Sequence, residues 1–231
     1  MKHFYISEKV KMDMSVLLCN DPYTILANVF ASFPLPLKHH CIQTGAVSGL
    51  MAEHVQNAAI PEDLTLEEYA NAVRYGGFYH DIAAYLVHNE YEKYPEVGYK
   101  LLAEQINENK VPAAIRTVIL DTVYNFAEHF DGSGYPASCS GDAIPLHAGL
   151  CAIANAVDMF LSRPKRFGRR GRLCECYEHI KAGVGSVFTP AAWNCFDAAW
   201  EEISALYRQW ASKPPMWKFS DLKPEHSQSA K

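Results

Sequence analysis

The pair His80-Asp81 stands inside the apolar stretch "GGFYHDIAAYL". Burying such a pair is unfavourable unless its members are hydrogen-bonded, paired or bound to metal. An adjacent histidine and aspartate offer one nitrogen and one oxygen to the same divalent cation, and His40, on an earlier helical stretch, is placed as a distant third ligand. A second conspicuous stretch is "AEHFDGSGYP", residues 127–136, where an apolar run stops at Phe130 and turns abruptly through two glycines. The third is "RPKRFGRRGR", residues 163–172, with six basic side chains and no acidic one, in a chain of net charge -5. Guanidinium forks match phosphate geometry, so Arg163, Lys165 and Arg166 are the expected contacts for a phosphate-bearing ligand; the plainer alternative is a solvated loop.

Helices must position these groups, because nearly every long segment has helical period and hardly any alternates as a half-buried strand would. The fold class is therefore all-α. A first helix is expected after Pro34 and Pro36, over "HHCIQTGAVSGLMAEHV", with Ile42, Ala46 and Leu50 on one face. A second begins where Thr65 and Glu68 have capping-box spacing and should end near Gly76 and Gly77. Others are expected from Pro95, from Pro112 towards Phe130, from Pro145 to Leu161, and from Thr189-Pro190 to Trp210. Residues 1–36 read as a helical extension packed on the core, 37–211 as one helical domain, and 212–231 as a loose tail.

With 21 basic against 26 acidic residues, the total charge argues against a general binder of nucleic-acid duplexes or membrane surfaces. Seven cysteines without a C-x-x-C pair argue against a disulfide framework and a zinc ribbon. No apolar run has signal-peptide or membrane-spanning character, so a cytoplasmic location is expected.

Taken in order, His40, His80-Asp81, "DGSGYP" and "GDAIPL" resemble the HD-GYP family, a branch of the HD-domain metal-dependent phosphohydrolases, from about His40 to Phe196. The resemblance implies an HD-domain-like helical bundle with a bi- or trinuclear site, usually iron or manganese, that hydrolyses cyclic di-GMP. It also implies that the turn Gly134, Tyr135, Pro136 docks a signalling protein such as a diguanylate cyclase domain. Within the turn, the glycines allow a tight reversal and Tyr135-Pro136 stiffens its exit.

Measured against that family pattern, several expected groups are replaced. Ala84 stands where a phosphate-holding lysine is expected, Tyr94 where the histidine of His-Pro-x-x-Gly is expected, and Phe126 and Ala127 where two histidines precede Glu128. Asn155 replaces a metal-bridging aspartate, whereas Asp158 is kept. Phenylalanine and alanine cannot ligate a cation, so a two-metal centre is not expected. What remains is a site for a single divalent metal (Fe, Mn or Zn), weakly held by His40, His80, Asp81 and Asn155, or no metal at all. The expected function is a degenerate phosphodiesterase-like domain with weak or no hydrolysis, sensing a cyclic dinucleotide or other phosphate-containing ligand, or binding a partner. The alternative is an active one-metal phosphohydrolase in which Asp81, Glu128 and Asp158 carry the catalytic roles, Glu128 or Asp158 assisting proton transfer. His88 is the better candidate to stand in for Tyr94, although a solvated loop histidine is the favoured reading of it, while His54 and His129 are expected to point elsewhere.

Overall fold

The computed structural model describes residues 29–30, 32–84, 86–87, 90–106, 111–162 and 171–212. Seven α-helices lie among the described residues: α1 (Leu35–Ala52), α2 (Leu66–Tyr79), α3 (Tyr94–Gln105), α4 (Ala113–Asn125), α5 (Leu146–Ser162), α6 (Leu173–Ala182) and α7 (Pro190–Ser212). The all-α expectation holds, and the arrangement is that of an HD-domain-like bundle. Nearly all of the expected extension, residues 1–36, and of the expected tail, residues 212–231, lies outside the described residues, as does His88. From the end of that extension, Phe30 and Phe33 are buried, and the Phe30 ring lies 4.9 Å from that of Phe78.

α1 is the central helix, buried on most of its circumference and packed against α2, α5 and α7. Its approach to α2 is closer than ordinary side chains permit. A Cβ on Gly45 would lie 2.8 Å from the Arg74 carbonyl oxygen, and one on Gly77 would lie 2.6 Å from Ser48 Oγ. These glycines therefore do not end α2 where the sequence suggested. Gly77 seats the helix on α1 and Gly76 seats it on Thr122 of α4, so α2 continues to Tyr79 and His80 becomes its C-cap. That extra turn delivers His80 to the level of His40.

The start of α2 matches the sequence reading. Thr65 Oγ1 accepts from the Glu68 amide at 3.2 Å and Glu68 Oε2 accepts from the Thr65 amide at 2.9 Å, a complete capping box. Thr65→Ala is expected to destabilise the protein by about 1 kcal/mol in urea unfolding, with no change in the denaturant slope.

Two elements depart from expectation. α4 stops at Asn125, because the amides of Phe130 and Asp131 bond to the carbonyls of Val187 and Ser186 (3.1 and 2.9 Å) and hold the following chain in extended and turn conformations. α6 was not anticipated. Arg172 and Glu175 form its N-terminal cap, and Cys176 and Ile180 are buried one turn apart. The six described cysteines form no disulfide. No described helix is long and apolar enough to cross a membrane.

Candidate metal centre

Three elements converge at one end of the α1–α2–α5 core. α1 supplies His40, the end of α2 supplies His80 followed by Asp81, and α5 supplies Asp158. His40 Nε2 lies 3.2 Å from His80 Nε2, and each of these nitrogens lies 3.6 Å from Asp81 Oδ2. Ligands held at about 2.1 Å from one cation stand roughly 3.0–3.4 Å apart, so this triangle is close to ligating dimensions. Among the described histidines, cysteines, aspartates and glutamates, these three form the cluster suited to a metal.

The far side of each imidazole decides what the near side can do. His80 Nδ1 is 2.7 Å from the Gly77 carbonyl oxygen, which can only accept, so Nδ1 carries the proton. His40 Nδ1 is 2.7 Å from Asp158 Oδ2, which fixes its proton in the same way. Both Nε2 atoms then present lone pairs to each other and to a carboxylate. Three acceptors meet with no donor among them, an arrangement that a cation relieves. Burial is the first cause that holds the fully enclosed His80 below the ordinary histidine pKa, in the neutral form that ligates metal.

Asp158 is buried, and both its oxygens are engaged. Oδ2 holds His40, while Oδ1 accepts from Ser162 Oγ at 2.8 Å and from Tyr207 Oη at 3.1 Å. Asn155 is partly buried one turn earlier on the same helix. Glu128 is buried beyond the end of α4: its Oε1 accepts from the Ala137 amide at 2.6 Å and its Oε2 has no hydrogen-bond partner. Glu128 thus ties the strand of chain after α4 to the far end of the 134–136 turn.

That turn is folded against the site. A Cβ on Gly134 would lie 2.3 Å from the His129 amide nitrogen, so no other residue fits there without displacing backbone, and the Tyr135 amide donates to the Ala127 carbonyl at 3.2 Å. Tyr135 is partly buried. Burial first, and then the negative charges of Asp81 and Glu92, raise its phenol pKa. Tyr94 opens α3, which Gly98 seats against Ile82 and Ala83, one turn away; burial, Tyr91 and Asp81 raise its phenol pKa in turn. The Phe126 ring packs edge-on against His80 with centroids 4.9 Å apart. Apolar and phenolic groups therefore flank the triad at Phe126 and Tyr94.

Two other described histidines go elsewhere. His129 pairs with Ser133 Oγ at 2.9 Å on the surface, and His54 with Glu202 at 2.9 Å. Arg163, Lys165 and Arg166 lie outside the described residues, and Arg172, at the end of the same run, is paired with Glu175. The sequence reading did not anticipate Tyr207 and Ser162. Tyr207 carries no local signal, since only the fold brings α7 to α5.

No family model matches the chain. Over 111 residues, 48% of the chain, it is 32% identical to the cyclic di-GMP phosphodiesterase response regulator RpfG of Xanthomonas campestris pv. campestris. Over 120 residues, 50% of the chain, it is 29% identical to a cyclic di-GMP phosphodiesterase of Vibrio cholerae serotype O1. The aligned parts cover 26% and 23% of those two proteins. These low-identity similarities support the resemblance to the HD-GYP family that the His40, His80-Asp81 and "DGSGYP" residues carry.

Proposed function

We propose that this chain is an HD-GYP-type, cyclic di-GMP phosphodiesterase-like domain that keeps one divalent cation site and binds a phosphate-containing nucleotide with weak or no hydrolysis, as a sensing or partner-binding module. The observation that carries the reading is the convergence of two lone-pair nitrogens and one carboxylate oxygen at 3.2–3.6 Å with no donor among them. The donor set of two imidazoles and a carboxylate suits iron, manganese or zinc. The names of the two relatives suggest the ligand class.

A bound cation would polarise a phosphoryl oxygen and lower the pKa of water. The family's hydrolysis, as the resemblance gives it, needs a second cation, and the chain offers Phe126, Ala127 and Tyr94 where its further ligands would stand. His40 and His80 hold the lone pairs, Asp81 supplies the charge, and Asp158 sets the His40 tautomer. The phenols of Tyr94 and Tyr135 both feel the negative charge of Asp81, and the 134–136 turn is a candidate contact for a signalling partner.

The second reading, an active one-metal phosphohydrolase, is favoured by the ligating spacing of the triad and by the unpartnered Oε2 of Glu128, an available proton acceptor. One experiment separates the two. Protein loaded with manganese is mixed with stoichiometric cyclic di-GMP, binding is followed by calorimetry, and the nucleotide is chromatographed after several hours. The expected result is saturable binding with intact nucleotide. Cleavage that depends on manganese and disappears in His80→Ala establishes the active reading; neither binding nor cleavage removes cyclic di-GMP as the ligand.

A further inference from the structure

Tyr207 lies near the end of α7, 49 positions beyond Asp158, and is buried by the fold. Its hydroxyl donates to Asp158 Oδ1 at 3.1 Å, while Asp158 Oδ2 accepts a hydrogen bond from His40 Nδ1–H at 2.7 Å. We propose that Tyr207 is a positioning residue of the metal centre, locking the Asp158 carboxylate so that His40 Nε2 faces the cation. This rests on the reading that His40 is a metal ligand.

The argument is one of orientation. A carboxylate held only through Oδ2 is free to rotate about its Cβ–Cγ bond and to swing His40 with it. Ser162 Oγ also holds Oδ1, at 2.8 Å, but Ser162 sits on α5 together with Asp158, one turn away. A bond within one helix turn moves with that turn. Tyr207 ties the same oxygen to a different helix, and its own ring is fixed by Trp210, with centroids 5.0 Å apart. The relay Tyr207–Asp158–His40 therefore spans α7, α5 and α1, and orders the tautomer and the ring plane of His40 before any cation arrives. Groups of this outer kind typically change metal affinity about 10–100-fold.

The relay makes α7 part of the centre. A cation held by His40 would increase the polarity of its Nδ1–H and so strengthen the hydrogen bonds to Asp158 and from Tyr207. Cation binding and the docking of the last turns of α7 are then coupled, and the coupling is reciprocal.

Tyr207→Phe tests this with the ring and its packing retained. Manganese is titrated into the metal-free wild type and into the variant, with free manganese read by electron paramagnetic resonance, and thermal unfolding of both metal-free proteins is compared. The expected result is a dissociation constant about tenfold higher in the variant, with metal-free melting close to wild type, and a Ser162→Ala variant less affected. Equal affinity within twofold overturns the proposal, and so does a lower melting temperature with unchanged affinity, which marks a structural role alone. Should Tyr207→Phe fail to fold, hydrogen exchange of the wild type decides. Manganese is expected to slow exchange of the amides from Ser204 to Trp210, and equal rates with and without it overturn the coupling. A wild type that binds no manganese removes the metal-site reading itself, and this inference with it, a result visible before any variant is made.

Discussion

With His80 replaced by alanine, the protein is expected to lose at least about 100-fold in affinity for manganese, iron or zinc, from a wild-type stoichiometry of about one cation per chain. The magnitude follows from what is removed. His80 contributes one of three ligand atoms, it is fully enclosed, and its Nδ1 proton is held by the Gly77 carbonyl, so the ring is fixed with Nε2 towards the triad. Among the described residues that flank the triad, the alternatives are poor. Phe126, which packs against His80, has no ligand atom, and Tyr94 is a phenol whose pKa is pushed up, away from the phenolate that would ligate. Asp81→Ala is expected to act similarly, and also to relieve the negative charge that bears on Tyr135. Elemental analysis after dialysis, on protein purified without a chelating tag, gives the count. Retention of a full equivalent by both variants would show that the cation lies somewhere other than this triad.

How much of this was legible depends on the range over which each signal acts. Helix starts announce themselves locally. Thr65 with Glu68, and the prolines at 95 and 190, were read correctly because a cap or a fixed φ is a property of a few neighbouring residues, whereas the first helix, expected after Pro36, starts at Leu35 and holds Pro36 in its first turn. Helix ends were harder. Gly76 and Gly77 look like a terminator in sequence, yet they serve as contact surfaces for Thr122 and Ser48, a role visible only when α1, α2 and α4 are assembled. The end of α4 was overrun for the converse reason: nothing local to residues 126–130 shows that the amides of Phe130 and Asp131 are claimed by the carbonyls of Val187 and Ser186. In the site, His40, His80 and Asp81 were legible from residue type and order. The engagement of Asp158 was not, because a carboxylate chosen for proton transfer and one that orients a histidine are the same letter. Only the fold shows its 2.7 Å contact to His40 Nδ1 and the Tyr207 hydroxyl behind it.

Between pH 6.5 and pH 4 the protein is expected to lose on the order of 3 kcal/mol of stability through His147 alone. His147 is the second residue of α5, its side chain is 13% exposed, and its Nε2 is shut off from solvent without a hydrogen-bond partner. Burial pushes its pKa from 6.5 down to about 4. The groups around it offer little to a charged imidazole: Tyr69 of α2 stands edge-on at 6.2 Å between centroids, and Asp121 Oδ2 of α4 is 4.0 Å away, its own pKa raised by burial. In that window the unfolded chain binds a proton at His147 and the folded chain does not, so folding releases it. Stability therefore falls as the pH is lowered, at about 1.4 kcal/mol per unit. His80 shifts in the same direction, so the wild-type slope is not diagnostic and the comparison must be with His147→Gln. That variant keeps a polar side chain of similar length without a titrating proton, and its urea-derived stability is expected to fall less steeply than wild type over the same range. Equal slopes would mean that Asp121 accepts the imidazolium proton in the folded state and that the charge is accommodated at the α4–α5 contact.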